Sequence, residues 1–178
     1  MTYLRRPFIF VLASVIVLAC FAVPAKADDT TITDAQLVQI RGRCTEIQTT
    51  LDRIHSNDAL LRVNRGQLYE LISTKLMARL NSRIALNHLD GSSLVSVASN
   101  YESHLNAFRV NYQLYEEALS NTIKTNCTDQ PVNFYNKLQE ARSKRADVLK
   151  SIQDITDDIS SYQDAFDAFA QPYRNGTL

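Results

Sequence analysis

"LVQIRGRCTEIQTTLDRI", residues 37 to 54, decides the fold class. Its apolar side chains fall at Leu37, Ile40, Cys44, Ile47, Leu51 and Ile54, in alternating three- and four-residue steps. Such steps return to one face of a 3.6-residue turn, whereas a half-buried strand would alternate strictly. The segment is therefore read as a helix with a single apolar stripe, at the spacing of a coiled-coil seam. Just upstream, "TDAQ" at Thr33 to Gln36 is a capping box that sets the helix start at Asp34.

Downstream the stripe runs on through Leu61, Leu68, Ile72, Leu76, Leu80 and Ile84, where four-residue steps unwind a supercoil locally. "SND" at Ser56 to Asp58 offers three good capping residues, so the first helix is open to a break near 56–58. "LDGSS" at 89–93 is the first clear turn, with Gly91 suited to the left-handed conformation that ends helices. A second helix, from about Leu94 to Asn126, carries Leu94, Ala98, Tyr101, Leu105, Phe108, Tyr112, Tyr115, Leu119 and Ile123 on its seam. "CTDQP" at 127–131 ends it, because Asp129 can cap the next helix and Pro131 fits a first turn. The third seam reads Tyr135, Leu138, Leu149, Ile152, Ile159, Tyr162, Phe166 and Phe169. Long helices joined by short turns predict an all-α fold, an antiparallel up-down-up three-helix coiled-coil bundle.

A first hairpin folded about residue 91 sets Arg65 opposite Glu117, and a second folded about residue 129 sets Arg142 opposite Glu116. Both arginines fall on predicted seams. The four residues Arg65, Glu116, Glu117 and Arg142 are thus expected to form a polar layer that fixes register or receives a partner. The same register places Asp154, Asp157 and Asp158 beside Arg79 and Arg83. It leaves Cys127 roughly 16 Å along a straight helix from Cys44, although a disulfide between them is the expected use of two cysteines in an exported chain. Early unravelling after Leu119, a bend at "SND" or pairing between chains would each close that gap. Closing so long a loop would stabilise the fold by roughly 4 kcal/mol.

Export is read from residues 1–27. Arg5 and Arg6 precede an almost wholly apolar run from Phe8 to Val23, which is short for a membrane span. Small residues at Ala25 and Ala27 suit cleavage after Ala27; the alternatives are acylation at Cys20 and an uncleaved anchor. Residues 28–178 are then one helical domain outside the cytoplasm, and membrane attachment follows from those two alternatives alone. With Arg5, Arg6 and Lys26 removed, 16 basic residues face 19 acidic ones, which argues against nucleic-acid binding.

No signature of catalysis is present. His55, His88 and His104 lack metal-ligand spacing, neither remaining cysteine has a CxxC partner, and four glycines form no phosphate loop. No enzyme activity, metal or cofactor is therefore expected. "NCT" at Asn126 and "NGT" at Asn175 match the N-glycosylation pattern. The aromatic run Tyr101, Phe108, Tyr112 and Tyr115 is read as core packing, with a ligand groove as the alternative.

"ITDAQ" at Ile32 to Gln36 resembles the LTxxQ motif of the periplasmic chaperones of the Spy and CpxP type. The resemblance implies a helical protein that shields apolar segments without ATP. It covers five residues, and Ile159 stands where a second copy, starting at Ile155, would have glutamine. The expected function is an exported, non-enzymatic interaction or scaffold protein with a protein partner, in the periplasm, the envelope or outside the cell. The alternative is an ATP-independent holdase, and a homo-oligomer is compatible with either.

Overall fold

The computed structural model describes residues 32–176; the leader reading, with Cys20 and cleavage at Ala27, lies outside the described residues. Every described element is helical: α1 (Asp34–Gly42), α2 (Cys44–Leu71), a π-helical segment (Ile72–Met77), α3 (Ala78–Leu86), α4 (Ser92–Ile123) and α5 (Pro131–Arg174). The capping box starts α1, since Gln36 N–H donates to Thr33 Oγ1 and Thr33 N–H donates to Gln36 Oε1.

The leg formed by α1, α2 and α3 breaks at Arg43 (φ −116°, ψ 19°), directly after Gly42, and runs on without a break through Ser56–Asp58. The capping groups at that expected break are engaged elsewhere. Ser56 donates to the Asp52 carbonyl inside the helix, and Asp58 accepts the Tyr115 hydroxyl from α4.

The left-handed residue ending α3 is His88 (φ 55°), where Gly91 was expected. Leu89 N–H donates to the Ile84 carbonyl and His88 N–H to that of Ala85, the paired bonds of a Schellman motif. Gly91 has ordinary φ (−113°) and is small for another reason: a Cβ there would lie 2.7 Å from Ile84 Cγ2. Asp129 does not cap α5. Gln130 holds the N-cap position without a side-chain bond, Pro131 opens the helix, and Asn126 organises the turn by accepting from Thr128 and Asp129 N–H.

On α4 all nine expected seam residues are buried or half-buried. On the other two legs most expected seam residues also face the core, with Cys44, Leu51, Ile84 and Tyr162 buried and Ile47, Ile54, Leu80, Leu138, Ile152 and Ile159 half-buried against it, but the line departs from expectation in mid-leg. Leu61, Leu68 and Leu76 are 51%, 53% and 54% exposed, while Tyr69, Ser73 and Met77, one position on from Leu68, Ile72 and Leu76, are buried. Four-residue steps advance 40° too far on an α-helix, and the wider π turn at Ile72–Met77 absorbs that advance so that one line of residues still faces α4. On α5 the core line is Phe134, Ala141, Val148, Ile155 and Tyr162, a strict seven-residue repeat; Leu149 is exposed.

Residue numbers fall on the first leg as they rise on α4: Asn81 bonds Leu94, Tyr69 bonds Tyr101, Asp58 bonds Tyr115 and Gln48 bonds Ile123. The first hairpin is slipped from expectation by roughly two to three helical turns, part of which follows from α3 stopping at Leu86, ahead of the expected turn at 89–93. That slip brings Cys44 and Cys127 to disulfide distance, with Cα atoms 5.5 Å apart. The 16 Å gap thus closes through register, with α2 unbent and both cysteines in one chain. Asn111–Ser151 and His104–Asp158 fix α4 against α5.

Candidate functional site

α4 lies between two flanks. No Cα of α2 comes within 8 Å of one on α5, although both helices pack on α4, and α1 returns to α5 at one end. What separates α2 from α5 is a groove with two cavities. The larger, about 400 Å³, is floored by Leu51, Ile54, Leu119, Leu138 and Ala141 and edged by Arg43, Arg142 and Arg145. The smaller, about 240 Å³, is floored by Phe108, Tyr112, Val148 and Ile152, with Leu61, Leu149, Arg62 and Arg65 at its mouth. Both cavities fall short of full closure, and Tyr115 and Arg145 belong to each.

Asp58 divides the two cavities. It accepts from Tyr115 Oη at 2.7 Å and from Arg145 Nε at 3.2 Å, and its side chain is nearly buried. Arg43 is held by Glu46 at 2.7 Å. Arg62 stands 5.0 Å over the Tyr112 ring, a cation–π contact. Among the described residues Arg62, Arg65 and Arg142 form no ion pair with a carboxylate.

Beneath the groove, the Tyr112 hydroxyl is sealed from solvent and makes no well-formed hydrogen bond, although Glu116 lies close enough to act on it. Burial pushes its pKa up to about 12, and the charge of Glu116 adds to the shift. Tyr101 and Tyr115 are also raised, again mainly by burial; Tyr101 donates to the Tyr69 carbonyl and Tyr115 to Asp58.

The predicted polar layer does not assemble. Glu116 is taken by His55 (Nε2–Oε1 2.5 Å), and Glu117 is exposed. Arg65 is level with Phe108 in one cavity and Arg142 with Leu119 in the other. Arg142 sits one position beyond buried Ala141, and Arg65 is exposed between half-buried Asp58 and buried Tyr69. The expected pairs between Asp154, Asp157 or Asp158 and Arg79 or Arg83 are also absent: Asp154 takes Lys150, Asp157 takes Gln153, and Asp158 takes His104 (2.6 Å).

The arrangement brings together an apolar trough with arginines along its rim and two interhelical histidine–carboxylate pairs. Each histidine–carboxylate pair joins two helices, and neither holds a nucleophile in its hydrogen bonds. Among the described residues no group of three His, Cys, Asp or Glu could hold a metal ion, and no helix is long and apolar enough to cross a membrane. Sequence reasoning singled out Arg65 and Arg142 and gave a groove along the aromatic run as its alternative reading; Phe108, Tyr112 and Tyr115 do line the cavities, but that α2 and α5 stay apart was not foreseen. Compared with known protein families, curated proteins and solved structures, the chain matches none.

Proposed function

We propose that this chain is an exported, non-enzymatic interaction protein that holds a protein partner in the groove between α2 and α5. The single observation that carries the reading is the groove itself, an apolar floor under five arginines, three of them without a carboxylate partner. An apolar trough with a charged rim is how helical scaffolds bind segments of other proteins. The bundle is read as antiparallel, up-down-up and three-legged, with α1 to α3 as its first leg. Export is supported by the apolar leader and by a cysteine pair at disulfide distance, which suits an oxidising compartment.

A photo-crosslinking amino acid at Leu149, at the mouth of the smaller cavity, tests this reading. In the native envelope it should give a saturable adduct with one partner, while the same group at exposed Val110 should not. Equal labelling at both positions would overturn the groove reading.

A second reading is favoured by a different observation. Leu60, Leu68, Leu71 and Leu76 are all more than half exposed on the first leg, a surface suited to an ATP-independent holdase. A holdase would suppress aggregation of several unrelated clients without a preferred partner, and substituting these leucines with serine would abolish that effect.

A further inference from the structure

The groove repeats itself. On α5 the larger cavity is lined by Leu138, Ala141, Arg142 and Arg145, and the smaller by Arg145, Val148, Leu149 and Ile152, each shifted by seven residues. On α4 the same shift relates Tyr115 and Leu119 to Phe108 and Tyr112. Two sockets one heptad apart lie about 10 Å apart along the helices, which is the separation of residues i and i+7 on another helix.

From this spacing we infer that the groove receives a fourth helix, an amphipathic and acidic one from the partner, with apolar residues seven apart seated in the two sockets. This inference rests on the interaction reading above and names its ligand. Charge sets the sign: Arg62, Arg65 and Arg142 stand along the rim without carboxylate partners, so glutamates or aspartates flanking the seated residues would complete them. From Arg43 to Arg65 the rim follows about 33 Å of helix, too long for a single anionic head group and suited to charges repeated along a helix.

A second copy of this chain cannot supply that helix from its own acidic stretch. Residues 151–170 carry five Asp and no Lys or Arg, but Ile155 and Tyr162 are in the core, and Asp154, Asp157, Asp158 and Asp167 are bonded to their own neighbours.

The test uses the full mature chain and three labelled synthetic peptides of about four heptads. One has Leu at both core positions and Glu at the flanks, one has Lys in place of Glu, and one has the Glu peptide's composition with irregular Leu spacing. Fluorescence anisotropy should show saturable binding of the first peptide, weakened by added salt, and at least about tenfold weaker binding of the other two. The variant Arg65→Glu/Arg142→Glu changes two exposed residues and should leave the melting temperature intact while reversing the preference toward the Lys peptide. Leu149→Lys, which blocks the smaller socket's mouth, should weaken the Glu peptide.

Equal binding of the irregular peptide would mean that the site accepts any acidic amphiphile, and would overturn the helix assignment. So would a dimer in sedimentation that the charge-reversed variant dissolves, since a second copy would then occupy the groove. If no peptide binds while the Leu149 crosslink still captures one partner, the ligand class is wrong and the interaction reading stands; if the crosslink fails too, both fall.

Discussion

Tyr112 and Tyr115 are one turn apart on α4 and make opposite demands on their surroundings. Tyr115 donates to nearly buried Asp58, whereas the buried Tyr112 hydroxyl has only a poorly formed interaction with Glu116. Tyr112→Phe should therefore be neutral or stabilise by up to about 1 kcal/mol, and Tyr115→Phe should cost about 1–3 kcal/mol, both read from denaturant midpoints. The raised Tyr112 pKa carries a pH dependence. A phenol that binds its proton more tightly when folded contributes stability that is complete below the unfolded value near 10 and is lost as pH rises through about 12. Stability should thus fall between about pH 10 and 12, and Tyr112→Phe should shallow that fall. The hairpin gives a second contrast at this scale. His88→Gly should stabilise by about 0.5–1 kcal/mol by relieving a left-handed backbone, while Gly91→Ala should cost about 1–3 kcal/mol by pressing on buried Ile84, with thermal melts as the measure. Local chemistry of this kind was only partly legible. Thr33, Gln36 and Pro131 announce their roles because capping and first-turn geometry are local. His88 does not, because its φ follows from where the neighbouring helix returns.

Among the elements, α4 was the most legible and α5 the least. α4 lies between both flanks, so its largest side chains are its seam. On α5 the core repeat passes through Ala141, whose small size marks close packing, and the bulkier Leu149 beside it points away. On α2 and the π segment the leucines at 61, 68 and 76 outrank Tyr69, Ser73 and Met77 in hydrophobicity, yet the packing against α4 buries the latter set. The π segment keeps that set aligned, so its extra residue should be necessary. Deleting exposed Thr74 would restore α geometry and rotate one side of the leg by about 100° relative to the other. Gln48 and Asp58 hold one side, and Ile84 under Gly91 holds the other. A drop in melting temperature with helix content preserved in circular dichroism is expected; an unchanged melt would show that the π turn is dispensable.

For the whole molecule, local departures of the buried line in the middle of two legs separated a core layer from a groove rim. Arg65 and Arg142 attracted notice in the sequence because charge on a seam is costly, and they remain the residues of interest as exposed arginines lining the groove, the binding surface proposed above. That α2 and α5 stay apart was not legible, since it depends on how side chains from three helices fill one space.

Cys44 and Cys127 also change how the chain would carry load. They are 83 positions apart, so tension applied between the two ends of the described chain would cross from one sulfur to the other and leave α2, α3 and α4 out of the loaded path. Reduction would release that shielded length, roughly 270–300 Å of extended backbone. Single-molecule pulling should show this extra extension with reductant present and not without it; equal contour lengths in both conditions would mean that the bond is not formed. Under the exported, partner-binding role proposed above, the bridge would make the chain a short, stiff link under oxidising conditions and a long, compliant one when reduced.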